Sequence, residues 1–125
     1  MVRLANYYAS STAFRSPLND MPLSPTEVAD ALGLSTMELA ELLRVHRNTL
    51  RLHPESAGVE QGMAWLRPIV GLLRQIRSDP LEAAFHFKNT PVRLLGGKTM
   101  LGALLAGEHQ KVARYLQVIG GGQNG

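Results

Sequence analysis

Cysteine is absent from the 125 residues of this chain, and no long apolar run occurs in it. Without thiols the chain can form neither disulfides nor thiolate metal sites, which fits a reducing compartment. The four histidines, at positions 46, 53, 86 and 109, lack the spacing of metal ligands. The most apolar segment is broken by Arg67, and the first residues lack the apolar stretch of a secretory signal. We therefore expect a soluble, cytoplasmic protein without a metal, a cofactor or a membrane partner.

The composition favours a single packed core. A chain of this length can form one compact domain or two small helical lobes that share a core. Hydrophobic residues make up 45% of it, which favours a folded chain over a disordered one. The formal charge is +3; up to Gly58 five basic residues stand against six acidic ones, a net −1, and the remainder has eight against four, a net +4. A mildly basic chain permits a nucleic-acid partner without requiring one.

Capping patterns predict three short helices in the first half. Residues 24–27, Ser-Pro-Thr-Glu, form a capping box with a proline in the first turn and predict a helix that Gly33 closes. Residues 35–38, Ser-Thr-Met-Glu, repeat the pattern and predict a second helix that ends near Arg44. A third, short helix is expected over residues 47–53, because a proline follows it.

A long helix is predicted behind Ser56, because apolar residues recur there at steps of three and four. Its buried stripe would consist of Val59, Met63, Leu66, Val70 and Leu73. Pro68 removes one backbone hydrogen bond within this helix and predicts a kink.

Three further elements are predicted toward the C-terminus. Residues 79–82, Asp-Pro-Leu-Glu, form a third capping box and start a helix that runs through Phe87. Thr99 can cap a short helix, and a last helix over residues 108–119 would be closed by Gly120. No period-two alternation occurs, so almost no sheet is expected.

Two overlapping registers satisfy the packing of a helix-turn-helix. The motif needs a small residue where its helices cross, apolar residues that lock the crossing, and polar or basic side chains on the second helix. One register pairs residues 26–32 with 36–43, and its second helix presents Glu38 and Glu41, which DNA phosphates repel. The other pairs residues 36–43 with 47–53 and is the register that we favour.

The favoured register leaves groove-reading side chains on the outside. The candidate DNA-binding residues are His46, Arg47, Asn48, Thr49 and Arg51. Arginine can bond guanine and asparagine can bond adenine in a bidentate way, each pair contributing about 1 to 3 kcal/mol of discrimination. Arg44 stands where glycine usually makes the turn, and His46 stands where serine or threonine usually caps. The alternative interpretation is that these arginines form only a solvated helix face.

A second pattern occupies the C-terminal half. It reads Asn-Thr-Pro-Val-Arg-Leu-Leu-Gly-Gly-Lys-Thr over residues 89–99 and Leu-Leu-Ala-Gly-Glu over residues 104–108. Together with residues 35–50, this pattern resembles the Xre/MbcA/ParS-type antitoxins over roughly residues 24–120. The chain departs from that family at Met100, where proline is usual, and at Phe85-His86-Phe87, where a tryptophan-leucine pair is common.

The resemblance implies the antitoxin of a toxin–antitoxin pair. In that family a helix-turn-helix binds the operon's own promoter, and the C-terminal region occludes a toxin, usually a RES-domain protein that consumes NAD. The implied partners are a cognate RES-type toxin, operator double-stranded DNA and, because such motifs usually read paired half-sites, a second copy in a homodimer. The residues expected to face the toxin are Arg93, Gly96, Gly97, Lys98, Gly120, Gly121 and Gly122. Their glycines could approach a narrow cleft closely; the alternative is a solubilising loop and a frayed end.

Enzyme motifs are not expected in this chain. Gly-Gly-Lys-Thr at residues 96–99 is similar to the end of a phosphate-binding loop, but that motif needs a glycine where Val92 stands and a strand before it. No carboxylate or nucleophile recurs near the histidines at helical spacing. Trp65 lies beside the predicted buried stripe, where core packing is the ordinary role of an isolated tryptophan.

The predicted fold class is all-α: a helical bundle with an N-terminal, Xre-like helix-turn-helix and a C-terminal helical toxin-binding region. The expected division is a flexible arm over residues 1–21, the helix-turn-helix over 22–56, and a toxin-binding or dimerisation region over 57–125 with a flexible tail at 120–125. One alternative is a stand-alone helix-turn-helix regulator whose rear half is only a dimerisation surface, which the apolar stripe of residues 59–73 suggests. Another is a protein-binding adaptor in which Arg47 and Arg51 are ordinary surface charges.

Overall fold

Seven α-helices and one 3-10 turn form the described part of the chain. The computed structural model describes the backbone of residues 22–124 and the side chains of residues 22–120, so the predicted arm over residues 1–21 lies outside it. These residues contain no strand, and the all-α prediction is confirmed. The helices are α1 (Pro25–Leu32), α2 (Thr36–Leu43), α3 (Arg47–Leu52), α4 (Ala57–Ile76), α5 (Pro80–Asn89), α6 (Met100–Leu105) and α7 (His109–Asn124), with the 3-10 turn at Arg93–Leu95.

The first two helices begin at the capping boxes that the sequence predicts. Ser24 N–H donates to Glu27 Oε1 at 2.8 Å and Glu27 N–H donates to Ser24 Oγ at 3.1 Å; Ser35 and Glu38 repeat both bonds at the same distances. Gly33 closes α1 with a φ of 70°, in the left-handed region that favours glycine. Local hydrogen bonds therefore fix both helix starts before any tertiary contact is considered.

The long helix α4 is the centre of the bundle. Its predicted stripe, Val59, Met63, Leu66, Val70 and Leu73, is buried throughout. The same core includes Leu39 of α2 and Phe87 of α5, so the front and rear halves share one apolar interior. Because the stripe is covered within the chain, it is not available as a dimer contact.

Two side chains of the rear half tie α1 in place. Arg67 Nε on α4 donates to the carbonyl of Leu23 at 2.8 Å, ahead of α1. Lys88 Nζ on α5 donates to the carbonyl of Gly33 at 3.0 Å, behind α1. Both ends of α1 are thus tethered to the scaffold on which α2 and α3 rest.

Two predicted helix ends differ in the structure. Asp79 Oδ1 accepts from Leu81 N–H at 3.0 Å, one residue earlier than a capping box requires, so Asp79 is an ordinary N-cap. Gly120 does not close the last helix, which continues to Asn124. A Cβ at Gly120 would lie 3.5 Å from Ile76 Cγ1, so this turn of α7 still packs on α4, and packing outweighs the low helix propensity of glycine. None of the helices in residues 22–124 is long and apolar enough to cross a membrane.

Candidate nucleic-acid interface

The turn between α2 and α3 is tight because two backbone amides fold back onto α2. Arg44 N–H donates to Glu41 O at 3.1 Å, and Val45 N–H donates to Ala40 O at 3.0 Å. Arg44 has a φ of 59°, so an arginine adopts the left-handed conformation that the motif usually assigns to glycine. Its side chain is exposed, and only three residues, 44–46, connect α2 to α3.

His46 caps α3 in place of the usual serine or threonine. Its Nδ1 accepts a hydrogen bond from the backbone N–H of Asn48 at 3.1 Å. Both departures from the usual pattern, Arg44 and His46, therefore supply the turn and the cap that this short helix needs.

Apolar packing holds α3 against α2. The inner residues of the pair are Leu39, Ala40, Leu43 and Leu50, which are buried, and Val45, which is half-buried. These are the residues that the favoured register needs at the crossing. In the rival register, α2 would face the DNA, but its exposed side chains include Glu41.

The outer surface of α3 carries the predicted DNA-binding side chains. His46, Arg47, Asn48 and Arg51 are exposed, and Thr49 is half-buried. Arg51 Nη2 donates to Asn48 Oδ1 at 3.2 Å. A shallow groove of about 280 Å³ runs beside them and is lined by Thr36, Met37, Arg47, Asn48 and Arg51. We call His46, Arg47, Asn48 and Arg51 the α3 face.

Two acidic residues of the front segment are engaged in local hydrogen bonds. Glu27 and Glu38 bond back to the caps of α1 and α2. Ser35 N–H, and then the ammonium of Lys88, lower the pKa of Glu38 below its ordinary 4.5 despite an opposing desolvation. Lys88 Nζ lies 3.7 Å from this carboxylate. The Glu38 carboxylate therefore stays ionised and its charge is offset by Lys88, while α3 itself contains two arginines and no acidic residue.

The predicted toxin-facing loop is tightly folded. Val92 N–H donates to Lys98 O at 2.9 Å, and Gly97 N–H donates to Val92 O at 3.0 Å. Gly96 and Gly97 have φ values of 71° and 85°, so the turn itself requires glycine. Arg93, Gly96, Gly97 and Lys98 are all exposed and adjacent on this loop.

Lys98 also has a partner within the chain. Its Nζ lies 3.3 Å from Glu108 Oε1, and Lys111 Nζ lies 3.3 Å from Glu108 Oε2. Lys111 and then Lys98 lower the pKa of Glu108 below its ordinary 4.5. This contact joins the glycine loop to the start of α7 and gives Lys98 a structural role.

The three C-terminal glycines do not join the loop. Glu108, beside Lys98, directly precedes α7, and Gly120 lies about 18 Å farther along the axis of that helix at 1.5 Å per residue. The backbone of Gly120, Gly121 and Gly122 is helical, whereas a free tail was predicted. The predicted toxin-facing residues therefore form two separate places on the molecule.

Sequence reasoning missed several exposed apolar side chains. Leu81 and Phe85 of α5 are 82% and 65% exposed, and Leu94 beside the glycine loop is 68% exposed. The spacing of four between Leu81 and Phe85 could have indicated a shared helix face. Trp65 is half-buried and stacks on His109 with ring centroids 4.8 Å apart. Its packing role was predicted, but its histidine partner was not.

No protein-family model, curated protein or solved structure matches the chain. Within the described residues, no group of three His, Cys, Asp or Glu side chains is arranged to hold a metal ion. The assignment of function therefore depends on the geometry of α3 and of the glycine loop, together with the resemblance noted in the sequence.

Proposed function

We propose that the chain is the antitoxin of a type II toxin–antitoxin pair, which binds its operon's DNA through a helix-turn-helix formed by α2 and α3 and occludes a RES-type, NAD-consuming toxin. It acts in the cytoplasm and is not itself an enzyme. The observation that carries the proposal is the α3 face, where two arginines and an asparagine project from a short helix whose other side is locked by buried residues.

DNA binding is supported by the form and charge of α3. A recognition helix must offer side chains that reach base edges while its backbone is held rigidly. Here the turn is fixed by the Arg44 and Val45 amides, the cap by His46, and the crossing by buried apolar residues. Arg47 and Arg51 can bond guanine or neutralise phosphates.

Toxin binding is supported by the glycine loop and by the resemblance of residues 89–99 to the antitoxin family. The loop is rigid, exposed and basic, and it carries the apolar side chain of Leu94. A rigid, exposed loop loses little conformational entropy on binding a cleft. Gly120 to Gly122 form a second place of contact at the far end of α7, so the toxin must reach both places.

The proposed DNA binding is tested by titrating the purified chain with a duplex from upstream of its own gene. The Arg47→Ala/Arg51→Ala variant should bind at least about tenfold more weakly and should reduce the slope of log affinity against log salt by up to about two. The matched control is Arg74→Ala/Arg114→Ala, which removes the same charge from two exposed positions on α4 and α7. An equal loss of DNA affinity in both variants would show that the α3 face contributes only its charge and is not a specific DNA-binding surface.

The proposed toxin binding is tested by co-expression with the protein encoded beside this chain. The pair should co-purify, and the chain should protect cells from its neighbour. Leu94→Asp should weaken neutralisation while DNA affinity is kept, and so should deletion of residues 120–125. If the neighbouring protein neither binds this chain nor harms cells, the antitoxin assignment is wrong, but the proposed DNA binding is unaffected.

The second candidate is a stand-alone helix-turn-helix regulator. The shared core favours it, because α4, α5 and the Lys88 tether hold α1 to α3 in position and thereby give the rear half a scaffold role of its own. This candidate expects DNA binding with no toxic neighbour, so the same two experiments separate the two functions.

A homodimer is part of both candidates, and its contact must lie outside the buried stripe of α4. We place it on the exposed face of α5, where Leu81 and Phe85 line a shallow groove with Arg77, Glu82 and His86. Arg77 and Glu82 carry opposite charges at the edge of this groove. In a contact related by a twofold axis the same surface meets itself, so a surface with both signs can be complementary to its own copy.

A further inference from the structure

The hydrogen bond between Arg51 and Asn48 fixes which end of the asparagine amide faces outward. A guanidinium group only donates, so the atom that it contacts at 3.2 Å must be the carbonyl oxygen Oδ1. The amide nitrogen of Asn48, with its two hydrogens, is then the end left for a ligand. An approaching amino group would meet Oδ1 beside the positive charge of Arg51.

His46 is oriented by the same kind of constraint. Its Nδ1 accepts from the Asn48 backbone N–H, so in the neutral ring the hydrogen is on Nε2. The ring nitrogen that is free to meet a ligand is therefore a donor. The imidazole and the asparagine amide both turn their acceptor atoms toward the protein's own groups.

The α3 face is consequently a surface of hydrogen-bond donors. Arg47 and Arg51 have no acceptor atoms, Asn48 presents its NH₂ group, and His46 presents Nε2–H. The described residues that line the adjacent groove include no carboxylate. The acceptor atoms of these four side chains, Asn48 Oδ1 and His46 Nδ1, each already accept a hydrogen bond within the chain, so donors predominate among the groups left to meet a base.

We propose that the α3 face selects guanine in the major groove. This inference rests on the proposed DNA-binding function and names the base that is read. Guanine offers two acceptors there, N7 and O6, whereas adenine adds an amino group beside N7, and cytosine presents an amino group. An asparagine whose amide oxygen and nitrogen are both free could pair with adenine in a bidentate way. Because Arg51 already bonds the oxygen of Asn48, the amide nitrogen is left to donate to guanine, or Asn48 supports an arginine that is bound to guanine.

The test begins with selection of binding sites from a pool of randomised duplexes by the full chain at low salt. The selected sites should contain guanine at the contacted positions. Replacing those guanines by 7-deazaguanine removes N7 and should weaken binding about tenfold, the loss of one good base contact. Replacing them by inosine changes only the minor-groove edge, so affinity should be retained.

Arg51→Met gives the second measurement, because it frees Asn48 Oδ1. Selection with this variant should shift one contacted position from guanine toward adenine, a change that a loss of charge alone would not cause. Arg114→Met is the matched control and should keep the wild-type preference. Thermal unfolding of each variant shows that the fold is intact.

The possible results separate the inference from the function beneath it. Guanine sites that are sensitive to 7-deazaguanine, with a shift toward adenine in Arg51→Met, support it. If the wild-type chain selects adenine, or if its affinity does not change with 7-deazaguanine, the guanine inference is wrong and the proposed DNA binding is unaffected. Failure to select or bind any duplex overturns the proposed DNA-binding function, and the guanine inference with it.

Discussion

Gly62 of α4 lies directly against Leu43, the last residue of α2. A Cβ built at Gly62 would stand 2.5 Å from Leu43 Cδ2 and 3.2 Å from Leu43 Cβ. Both residues are buried, so α2 can rest on α4 at this distance only because position 62 has no side chain. This contact sets the distance between α2 and α4.

Gly62→Ala should therefore destabilise the protein, although alanine is the better helix former. The expected loss in the free energy of unfolding is about 1 to 3 kcal/mol, since overpacking outweighs a gain in helix propensity of about 1 kcal/mol. Gly71 on the same helix is exposed and has nothing within 4 Å of its Cβ position, so Gly71→Ala should stabilise the protein by up to about 1 kcal/mol. Urea unfolding measures both, and a gain at both positions would contradict the packing argument.

Arg44→Gly should increase stability. Arg44 has a φ of 59°, a conformation that costs a residue with a Cβ about 1 kcal/mol or more and costs glycine almost nothing. The arginine side chain is exposed, so little packing is lost. The expected gain is about 1 kcal/mol in urea unfolding. Arg114→Gly, inside α7, is the control and should lose about 1 kcal/mol; a loss at position 44 as well would show that Arg44 packs more than its exposure suggests.

The local signals of the sequence were sufficient for most of the helices. Ser24 and Ser35 make the predicted capping boxes, and the period of three and four beyond Ser56 produces the buried stripe of α4. These features depend on a few neighbouring residues, so they can be recognised without the fold. Arg44 and His46 show the limit, because a tight crossing of α2 and α3 imposes a turn and a cap on residues that rarely form them.

What could not be predicted depends on contacts between distant residues. The end of α7 was placed at Gly120 because the sequence gives no sign that Ile76 lies beside it. The contact between Lys98 and Glu108 was not predicted, because it exists only in the folded chain. The donor character of the α3 face likewise depends on which amide end of Asn48 meets Arg51, a matter of rotamers and not of composition.

Glu108→Gln should reduce the loss of stability in acid. Lys111 and Lys98 lower the pKa of Glu108 below its ordinary 4.5 in the folded chain. A carboxylate whose folded pKa is depressed stabilises the fold above its unfolded pKa, and this contribution is lost as the pH falls through the folded pKa. The slope of stability against pH below about 4.5 should therefore be shallower in the variant. It should not vanish, since the pKa values of Glu38 and Glu60 are lowered too.

The measurement for Glu108 is a series of urea titrations from pH 7 down to pH 3. Glu41→Gln is the charge-matched control, because it removes a carboxylate from the exposed surface of α2. If both variants changed the slope equally, net charge and not the Lys98–Glu108–Lys111 contact would be responsible.

Leu81→Ser/Phe85→Ser should weaken the proposed dimer. The two side chains are 82% and 65% exposed on one face of α5, and covering them is the main apolar gain that a twofold contact at this helix offers. Losing each should raise the dimer dissociation constant about tenfold or more, at roughly 1.5 to 3 kcal/mol for a fully buried side chain. Light scattering over a range of concentrations measures the shift toward monomer. Leu94→Ser is the control, because it removes a similarly exposed leucine beside the glycine loop and should leave the dimer unchanged. Equal dissociation of both variants would contradict the α5 contact. A wild-type chain that is monomeric at every concentration would contradict it too.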